Sequence, residues 1–412
     1  MVLEKSRLIL TIVWEKMMSK KSVPTIRFKS FFNHWSNTGL KEVKDVRDGT
    51  HSSPKYIDHG YPLVTSKNLT DSGLNLNDAS LISESDYNEI NKRSKVEVGD
   101  ILLGLIGTIG KPVLVETDGF AIKNVGLIKN GGKIQNQFLL QYLKTNLFNK
   151  YIQIEMAGNT QKFLGLETLR NTKVPVPSQE EQSAIGSLFR TLDELLASYK
   201  YNLANYQSLK ETMLSKMFPK AGQTVPEIRL DGFEGEWKEK EFSKLVKRVT
   251  QSSDSDSLPK VEFEDIISGQ GRLNKDISSK FDNRKGIHFK PGYTLYGKLR
   301  PYLNNWLLPK FEGVALGDFW VFHPNGNDSN FIYYLVQSNR YQKVANDTSG
   351  TKMPRSDWKS VSSTIFAIPQ TIAEQQAIGA YFSNLDNLIN SYQEKISQLE
   401  TLKKKLLQDM FI

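Results

Sequence analysis

The sequence predicts an α+β protein made of two tandem copies of one α+β module, each followed by a long helix. Two observations lead to this fold class: a pair of motifs that occurs twice, and a heptad pattern that returns at matching positions. With 412 residues, the chain is also long enough for two or three domains.

The internal repeat consists of a leader and a helix motif. The leader VPTIRFKSFFNHW at Val23–Trp35 returns as VPEIRLDGFEGEW at Val225–Trp237. The motif EQSAIGSLFRTLDELLASY begins at Glu181, and EQQAIGAYFSNLDNLINSY begins at Glu374. Duplication at such a long period indicates two copies of a whole module rather than a solenoid. The first leader has KSFFNH where the second has DGFEGE, so its entry into the module is expected to differ.

Both copies of the helix motif show the alternating four-three spacing of a coiled-coil seam. The first seam is Ile185, Phe189, Leu192, Leu196, Tyr199, Leu203, Tyr206, Lys210, Met213 and Met217. The second seam is Ile378, Phe382, Leu385, Ile389, Tyr392, Ile396, Leu399, Lys403, Leu406 and Met410. A seam this long buries little by itself, so we expect the helices to pair as an antiparallel coiled coil with pseudo-twofold symmetry. The alternative is that each helix packs only on its own module.

The ends of these helices carry further signals. Ser178 to Glu181 and Thr371 to Glu374 both fit a capping box. The only polar seam residue is lysine in both helices, Lys210 and Lys403; it either fixes the register or extends to the surface.

The segments between the helices mix short β-branched and aromatic runs with Gly, Pro, Asn and Asp turns. Examples are Gly99–Glu116 and Pro291–Leu308, each followed by a second strand-like run and then a helical stretch near Phe138 or Phe331. The predicted organisation is an N-terminal extension at 1–22, modules at 23–177 and 223–369, and helical spacers at 178–222 and 370–412.

Composition narrows the classes of function. The net charge of +9 suits an acidic partner. Because cysteine is absent, disulfides and cysteine-ligated metals are excluded, and the five histidines include no close pair that predicts a metal site. No apolar run is long enough to span a membrane. The sequence shows no nucleotide-binding, hydrolase, methyltransferase or nuclease motif. GLIGTIGKP, for example, lacks the first glycine and the final Ser or Thr of a phosphate-binding loop.

From Val23 to Ile412, the chain resembles the specificity subunit of type I restriction–modification systems. The resemblance rests on the two EQxAIGxxFxxLDxLxxSY helices, the repeated leader, DGTHSSPKY at Asp48–Tyr56, YPLVTSKNL at Tyr61–Leu69 and GKLRPYL at Gly297–Leu303. It implies a cytoplasmic protein without a catalytic site, in which two target-recognition domains each read half of a bipartite DNA sequence and the helices set the spacer. It also implies two methyltransferase partners that use S-adenosylmethionine, and restriction subunits that use ATP and magnesium. The chain itself is expected to bind no cofactor or metal.

DNA reading of this kind needs lysine and arginine for phosphates, and Arg, Lys, Asn or Gln for base edges. In the first module, we expect contacts from Thr50, His51, Lys55, Lys67, Asn68, Lys111, Asn159, Gln161 and Lys162. In the second module, we expect contacts from Lys298, Arg300, Tyr302, Thr351, Lys352 and Arg355. The loops GNTQK (Gly158–Lys162) and SGTKMPR (Ser349–Arg355) precede their helices at corresponding places.

Two other classes of function remain open on the sequence alone. One is a restriction or modification enzyme with an active site in one α+β module. The other is a helical interaction scaffold that binds no DNA. Incubation with DNA and S-adenosylmethionine or magnesium tests the first, and salt-sensitive DNA binding tests the second.

Overall fold

A computed structural model describes residues 23–157, 163–278, 283–348 and 352–412. The chain divides into two compact units. The first runs up to Ser198 and includes Ile396–Ile412, and the second is Tyr199–Lys395. Each unit therefore contains one module and parts of both long helices, whereas the predicted boundaries set the helices apart as separate segments. Within the described ranges, no helix is long and apolar enough to cross a membrane.

The first module alternates short strands with short helices. Its strands are β1 Ser36–Gly39, β2 Val46–Asp48, β3 Tyr61–Val64, β4 Leu69–Thr70, β5 Gly73–Leu74, β6 Ser80–Ile82, β7 Ile101–Gly104, β8 Pro112–Leu114, β9 Ala121–Ile122, β10 Val125–Ile128 and β11 Lys173–Val176. Its helices are α1 Leu40–Val43, α2 Glu84–Ser94, α3 Asn136–Leu143, α4 Asn146–Met156 and α5 Leu166–Asn171.

Among the described residues of this module, the strands form three sheets and a hairpin. Strand β1 pairs with β11, which closes the module next to the long helix. The central antiparallel sheet has the order β2-β10-β7-β8, and a second sheet has the order β6-β3-β9 with a parallel β3–β9 pair. Strands β4 and β5 form the hairpin. The central strands β7 and β10 are completely buried, which explains their apolar sequences ILLG and VGLI.

The first long helix, α6, is Gln179–Lys216. Ser178 acts as its N-cap, because its hydroxyl accepts a hydrogen bond from the Glu181 backbone N–H at 3.3 Å. The second half of the predicted capping box differs, since the Glu181 carboxylate binds leader residues instead.

The second module repeats this arrangement with different lengths. Its strands are β12 Lys238–Glu241, β13 Lys247–Val249, β14 Ser252–Ser253, β15 Lys260–Val261, β16 Ile266–Ile267, β17 Arg272–Leu273, β18 Gly286–Phe289, β19 Thr294–Gly297, β20 Trp306–Leu307, β21 Gly313–Ala315, β22 Phe319–His323 and β23 Ile365–Ile368. Its helices are α7 Phe242–Leu245, α8 Ser329–Leu335, α9 Asn339–Ala345 and α10 Trp358–Ser363.

The central strand order of the second module matches that of the first. Strand β12 pairs with β23, the central sheet has the order β13-β22-β19-β20, and β16–β17 form the corresponding hairpin. The sheet β14-β18-β21-β15 keeps a parallel β15–β21 pair, but β18 pairs with β21. In the first module, the equivalent added strand β6 pairs with β3 instead. The frame is thus repeated, while the peripheral strands differ.

The second long helix, α11, is Ile372–Asp409, with Thr371 as its N-cap. The residues that follow each long helix are apolar and buried. Met217 and Phe218 lie in the core of the second unit, whereas Met410–Ile412 lie in the core of the first unit. The chain end therefore packs against the first module.

The predicted strand-like runs are each broken by a backbone turn. Gly99–Glu116 contains β7 and β8, joined by a loop in which Gly107 and Gly110 have φ of 77° and 76°. The run after it is split into β9 and β10 at Asn124, whose φ of 54° interrupts the strand.

Candidate nucleic-acid interface

The loop after β2 holds two of the predicted DNA contacts, Thr50 and His51. The Thr50 backbone donates to the Ile122 carbonyl at 3.0 Å, which fixes the loop against β9. The His51 ring contacts Asn124 Oδ1 at 2.8 Å through Nδ1 and Asp48 Oδ2 at 2.9 Å through Nε2. Because the His51 side chain is still 63% exposed, it is held in one orientation and remains accessible.

This network also contains residues that the sequence did not single out. Asp48 is buried and forms an ion pair with Arg93, which lies in the last turn of α2. Lys123 donates to the Ser53 hydroxyl at 2.6 Å. Arg93 and Lys123 are thus two further cations that contact residues of this segment, in which Lys55 is exposed. Asp48 begins the DGTHSSPKY motif, but nothing in the sequence indicates that it pairs with Arg93 on α2.

Lys67 and Asn68 share a helical turn, Ser66–Asn68, but face different surroundings. Lys67 is exposed, whereas Asn68 is buried. The Asn68 side chain accepts from the Thr65 backbone N–H at 2.9 Å and donates to the Asn75 carbonyl at 3.2 Å. In this conformation, Asn68 shapes the turn that presents Lys67 and offers no free group to a base.

Lys111 lies at the end of the loop that joins β7 to β8. Its ammonium pairs with Asp71 at 3.0 Å, at the tip of the β4–β5 hairpin. The same loop forms an antiparallel bridge between Ile106 and Phe163, and both side chains are nearly half exposed. The other predicted contacts of this region, Asn159, Gln161 and Lys162, lie outside the described residues.

The corresponding loops of the second module are joined by backbone hydrogen bonds. The Arg300 N–H donates to the Pro354 carbonyl at 2.7 Å, and the Ser356 N–H donates to the Lys298 carbonyl at 2.8 Å. These bonds bring together the two segments that were predicted to read DNA, GKLRPYL and SGTKMPR.

Asp318 organises the cations of this surface and was not predicted. Its carboxylate lies 3.0 Å from Arg355 Nη2 and 3.5 Å from Lys298 Nζ. Burial by itself would raise the pKa of Asp318, but the hydrogen bond from Arg355 and the two positive charges lower it overall. The carboxylate therefore stays ionised and orients both cations.

Arg300 and Tyr302 are both exposed, and Tyr302 retains 58% of its surface. Arg300 has a left-handed backbone with φ of 48°, and Asn304 has φ of 54°. Such strain in non-glycine residues is concentrated at functional sites. Lys352 is also exposed, while Thr351 lies outside the described residues.

The repeated leader has a structural role that its sequence pattern alone did not predict. Arg27 binds Glu181 in a bidentate ion pair, with Nε to Oε1 at 2.6 Å and Nη2 to Oε2 at 2.7 Å. Trp35 Nε1 donates to the same carboxylate at 2.9 Å. The hydrogen bond to Glu181 raises the pKa of the Arg27 guanidinium. We call this arrangement of one Arg, one Trp and one Glu the leader clasp.

The second leader forms the same clasp. Arg229 binds Glu374 at 2.7 and 2.8 Å, and Trp237 Nε1 donates to Glu374 at 3.0 Å. Arg, Trp and Glu recur at matching positions in both copies, and this coincidence was the available signal.

The next residues of the helix motif dock the module. Gln182 accepts from the Gln135 backbone N–H at 2.8 Å, and Gln375 accepts from the Asp328 backbone N–H at 2.9 Å. Gly186 allows a close approach, because a Cβ there would lie 2.9 Å from Cβ of Gln137. The motif EQxAIG therefore attaches each module to the start of its own helix.

Further along, the seam residues contact the other long helix within each unit. In the first unit, Lys403 of α11 pairs with Asp193 of α6, and the Phe189 ring lies 6.1 Å from the ring of Phe411, which follows the end of α11. Nine of the fourteen apolar positions expected at the helix-pair interface are buried: Ile185, Phe189, Leu192, Leu196, Ile378, Phe382, Leu385, Ile389 and Ile396. The other five are partly buried: Tyr199, Leu203, Tyr206, Tyr392 and Leu399.

In the second unit, Tyr392 lies 5.5 Å from both Tyr199 and Tyr206, and Lys210 pairs with Asp386 at 2.7 Å. Each seam lysine therefore binds the aspartate that follows a seam leucine, Leu192 or Leu385, in the other long helix. Ile185 and Phe189 also belong to the first module's core, so the helix packs on its own module as well as on the other helix.

Comparison with known proteins identifies the family. The sequence model of one protein family, the type I restriction modification DNA specificity domain, matches residues 33–205 and 257–401. These two segments cover well over half of the chain, which therefore belongs to this family of DNA specificity proteins.

Individual relatives agree with this assignment. The specificity subunit of the type I restriction enzyme MjaIX from Methanocaldococcus jannaschii is 21% identical over 410 residues, which is 90% of this chain and 91% of the relative. The EcoBI specificity subunit from Escherichia coli is 28% identical over 202 residues, covering 45% and 41%. The crystal structure of the S subunit from M. genitalium covers 95% of this chain and 99% of its own, with a TM-score of 0.61 and 15% identity, and so shows a shared fold.

Family membership also separates the classes of function that the sequence left open. The matching domain is a DNA specificity domain, and these relatives are named specificity subunits. The chain is therefore a DNA-recognition component of a type I restriction–modification system and not the enzyme itself. Nothing in the comparisons supports an independent active site or a scaffold that binds no DNA.

Proposed function

We propose that each module reads one half of a bipartite DNA target and that the two long helices pair to fix the distance between the halves. The observation that carries this proposal is a repeated frame with different loops. Both modules share the central strand order and the leader clasp. Their exposed loops differ, with His51 and Lys111 in one and Arg300 and Arg355 in the other.

The ion pairs of the seam support an antiparallel helix pair. Asp193 is early in α6 and binds Lys403, late in α11. Lys210 is late in α6 and binds Asp386, early in α11. Going from Asp193 to Lys210 along α6, the paired residue on α11 moves from Lys403 back to Asp386. Only an antiparallel pair of helices gives this order. A polar residue in an apolar seam can fix the register, so we infer that the seam lysines do so.

Lengthening the helix pair tests the spacer role. Seven residues inserted near Ala204, with seven more near Tyr392 on the other helix, add about 10 Å of helix. This length corresponds to roughly 3 base pairs at 3.4 Å each. Sequencing of methylated motifs should show a longer spacer with both half-sites intact. The control is an insertion in α6 alone, which breaks the seam register; an unchanged spacer in the double insertion contradicts the proposal.

DNA contact by the second module is tested at Arg300. Arg300 is an exposed residue of the second module. Replacing it with alanine should therefore weaken or relax recognition of the half-site read by that module and leave the other half-site intact. The matched control is Lys310→Ala, an exposed cation outside the two paired loops. Equal loss at both half-sites would argue against one reader per module.

The partner subunits follow from the same proposal. We infer that two methyltransferase subunits, which use S-adenosylmethionine, dock on the helices, and that restriction subunits supply the chemistry that needs ATP and magnesium. The chain itself would contribute no cofactor, and it would act in the cytoplasm, where the target DNA lies. Light scattering of the co-purified complex should give two methyltransferase subunits for each copy of this chain; a ratio of one to one would contradict the stoichiometry.

A further inference from the structure

In the first module, the loop that joins β7 to β8 is attached to the segment just before α5. The Leu164 N–H donates to the Leu105 carbonyl at 2.8 Å, and Ile106 forms an antiparallel bridge with Phe163. Leu105 and Ile106 directly follow β7, a strand of the central sheet. The two segments therefore form one continuous surface at the end of that strand.

The second module joins the corresponding segments in the same register. Strand β19 holds the place of β7 in its central sheet. The Ser356 N–H donates to the Lys298 carbonyl at 2.8 Å, and Leu299 forms an antiparallel bridge with Arg355. The register therefore matches Leu105 with Lys298, Ile106 with Leu299, and Phe163 with Arg355.

Two more pairs of positions follow from this register. Gly107 corresponds to Arg300, and both have a left-handed backbone, with φ of 77° and 48°. The first residue of β10 pairs with the last residue of β7, and β22 pairs with β19 in the same way. Asn124, just before β10, therefore corresponds to Asp318, just before β22. We call these positions the loop tip: Leu105, Gly107, Asn124 and Phe163 in the first module, and Lys298, Arg300, Asp318 and Arg355 in the second.

The loop tip is charged in the second module and uncharged in the first. In the second module, Asp318 pairs with Lys298 and Arg355, beside the exposed Arg300. In the first module, the glycine at 107 has no side chain, and the phenyl ring of Phe163 is 45% exposed. Its bridge partner Ile106 is 44% exposed as well. Apolar groups thus stand at the surface where the second module presents guanidinium groups.

This difference matters for the base that each loop tip can recognise. In the major groove, arginine and lysine donate to the O6 and N7 acceptors of guanine. A phenyl ring and an isoleucine side chain offer no hydrogen bond, so the feature of a base edge that they can recognise is the C5-methyl group of thymine. An apolar contact of this kind is favourable because it removes the methyl group and the side chains from water.

We propose that Phe163, supported by Ile106, contacts a thymine methyl group in the half-site that the first module reads. Phe163 is then a specificity-determining residue at the position that Arg355 holds in the second module. The proposal rests on the proposed function, in which each module reads one half of the target. It adds the chemical feature that the first module recognises at this position.

Replacing thymine with deoxyuracil in the target DNA tests the contact, because it removes the methyl group and preserves base pairing. Duplexes carry the target known from sequencing of methylated motifs, with uracil in one half-site or in the other. Fluorescence anisotropy measures their binding to the full-length chain, co-purified with its partner subunits. We expect uracil in one half-site only to weaken binding by about fourfold for the contacted methyl group.

Variants of Phe163 show whether this side chain makes the contact. Phe163→Ala should weaken binding of the thymine duplex by about tenfold and should remove the response to uracil. Phe163→Leu keeps an apolar side chain and should retain most of that response. The matched control is Phe32→Ala, which truncates an exposed phenylalanine of the leader and should leave both the affinity and the response to uracil unchanged.

The proposal is overturned if uracil has no effect in either half-site, or if Phe163→Ala responds to uracil as the wild type does. A loss of affinity in Phe163→Ala without any response to uracil also overturns it, and indicates that the ring stacks on bases instead. Arg300→Ala, measured on duplexes with a base change in one half-site or the other, tests one reader per module separately. Its effect should fall in the half-site where uracil has none.

Discussion

Replacing Glu374 with alanine removes the acceptor that Arg229 and Trp237 share in the second leader clasp. The side chains of Arg229 and Glu374 are 16% and 3% exposed, so this ion pair is largely removed from water. Removing one partner of a buried pair costs about 3–5 kcal/mol, because the other charge stays buried. The Trp237 N–H also loses its acceptor.

The cost should fall near the lower end of this range, at about 3 kcal/mol. Arg229 keeps hydrogen bonds to the Glu234 and Gly235 carbonyls and can reach some water. Urea denaturation, followed by tryptophan fluorescence, measures the change in the free energy of unfolding. The control is Glu394→Ala, an exposed glutamate on the same helix, which should leave that free energy unchanged.

The matched variant Glu181→Ala tests whether the clasps are equivalent. It should lower the stability of the first unit by a similar amount, since Arg27 and Glu181 are 10% and 2% exposed. A loss below about 1 kcal/mol in both variants, the range of surface ion pairs, would refute the view that the clasps attach the leaders.

Three further changes test other parts of the structure. Gly379→Ala should cost about 1–3 kcal/mol, because the new Cβ would lie 2.7 Å from Cβ of Asn330; a neutral effect in thermal melts would contradict the close packing. Lys210→Glu places like charges at the seam and should cost roughly 2 kcal/mol, and adding Asp386→Lys should restore most of it in a double-mutant cycle. Burial lowers the pKa of Lys44 to about 8, partly offset by Asp100. Between about pH 8 and the ordinary pKa of 10.5, Lys44 binds more protons in the unfolded chain than in the folded one, so its contribution to the free energy of unfolding rises with pH. Lys44→Met should remove that rise when the free energy of unfolding is measured across this pH range.

The long helices could be predicted almost to the residue, because their signals are local. Heptad spacing and N-cap residues predicted starts after Ser178 and Thr371, and the structure has Gln179–Lys216 and Ile372–Asp409. Strands were harder to predict, since their pairing partners are far apart in sequence. The run at Gly99–Glu116 contains two short strands, because the glycine loop reverses the chain between them.

The surface residues were only partly predictable. Residue type alone selected Arg300 and Lys298 as candidate DNA contacts, but only the fold shows that Asp318 orients Lys298 and Arg355. Asn68 carries a carboxamide of the kind that can read a base, but this carboxamide is buried and hydrogen-bonded within its own turn. The role of Glu374 was missed because a capping box explained it locally, while its partner Arg229 is 145 residues away.

The most direct test of one reader per module is a module exchange. Residues 238–369 are replaced by the corresponding segment of a relative with a different target, and the leader clasp and both long helices are retained. Methylated motifs are then sequenced in cells that carry the partner subunits. If each module reads one half-site, one half-site changes, while the other half-site and the spacer length stay the same. A change in both half-sites, or in neither, would contradict it.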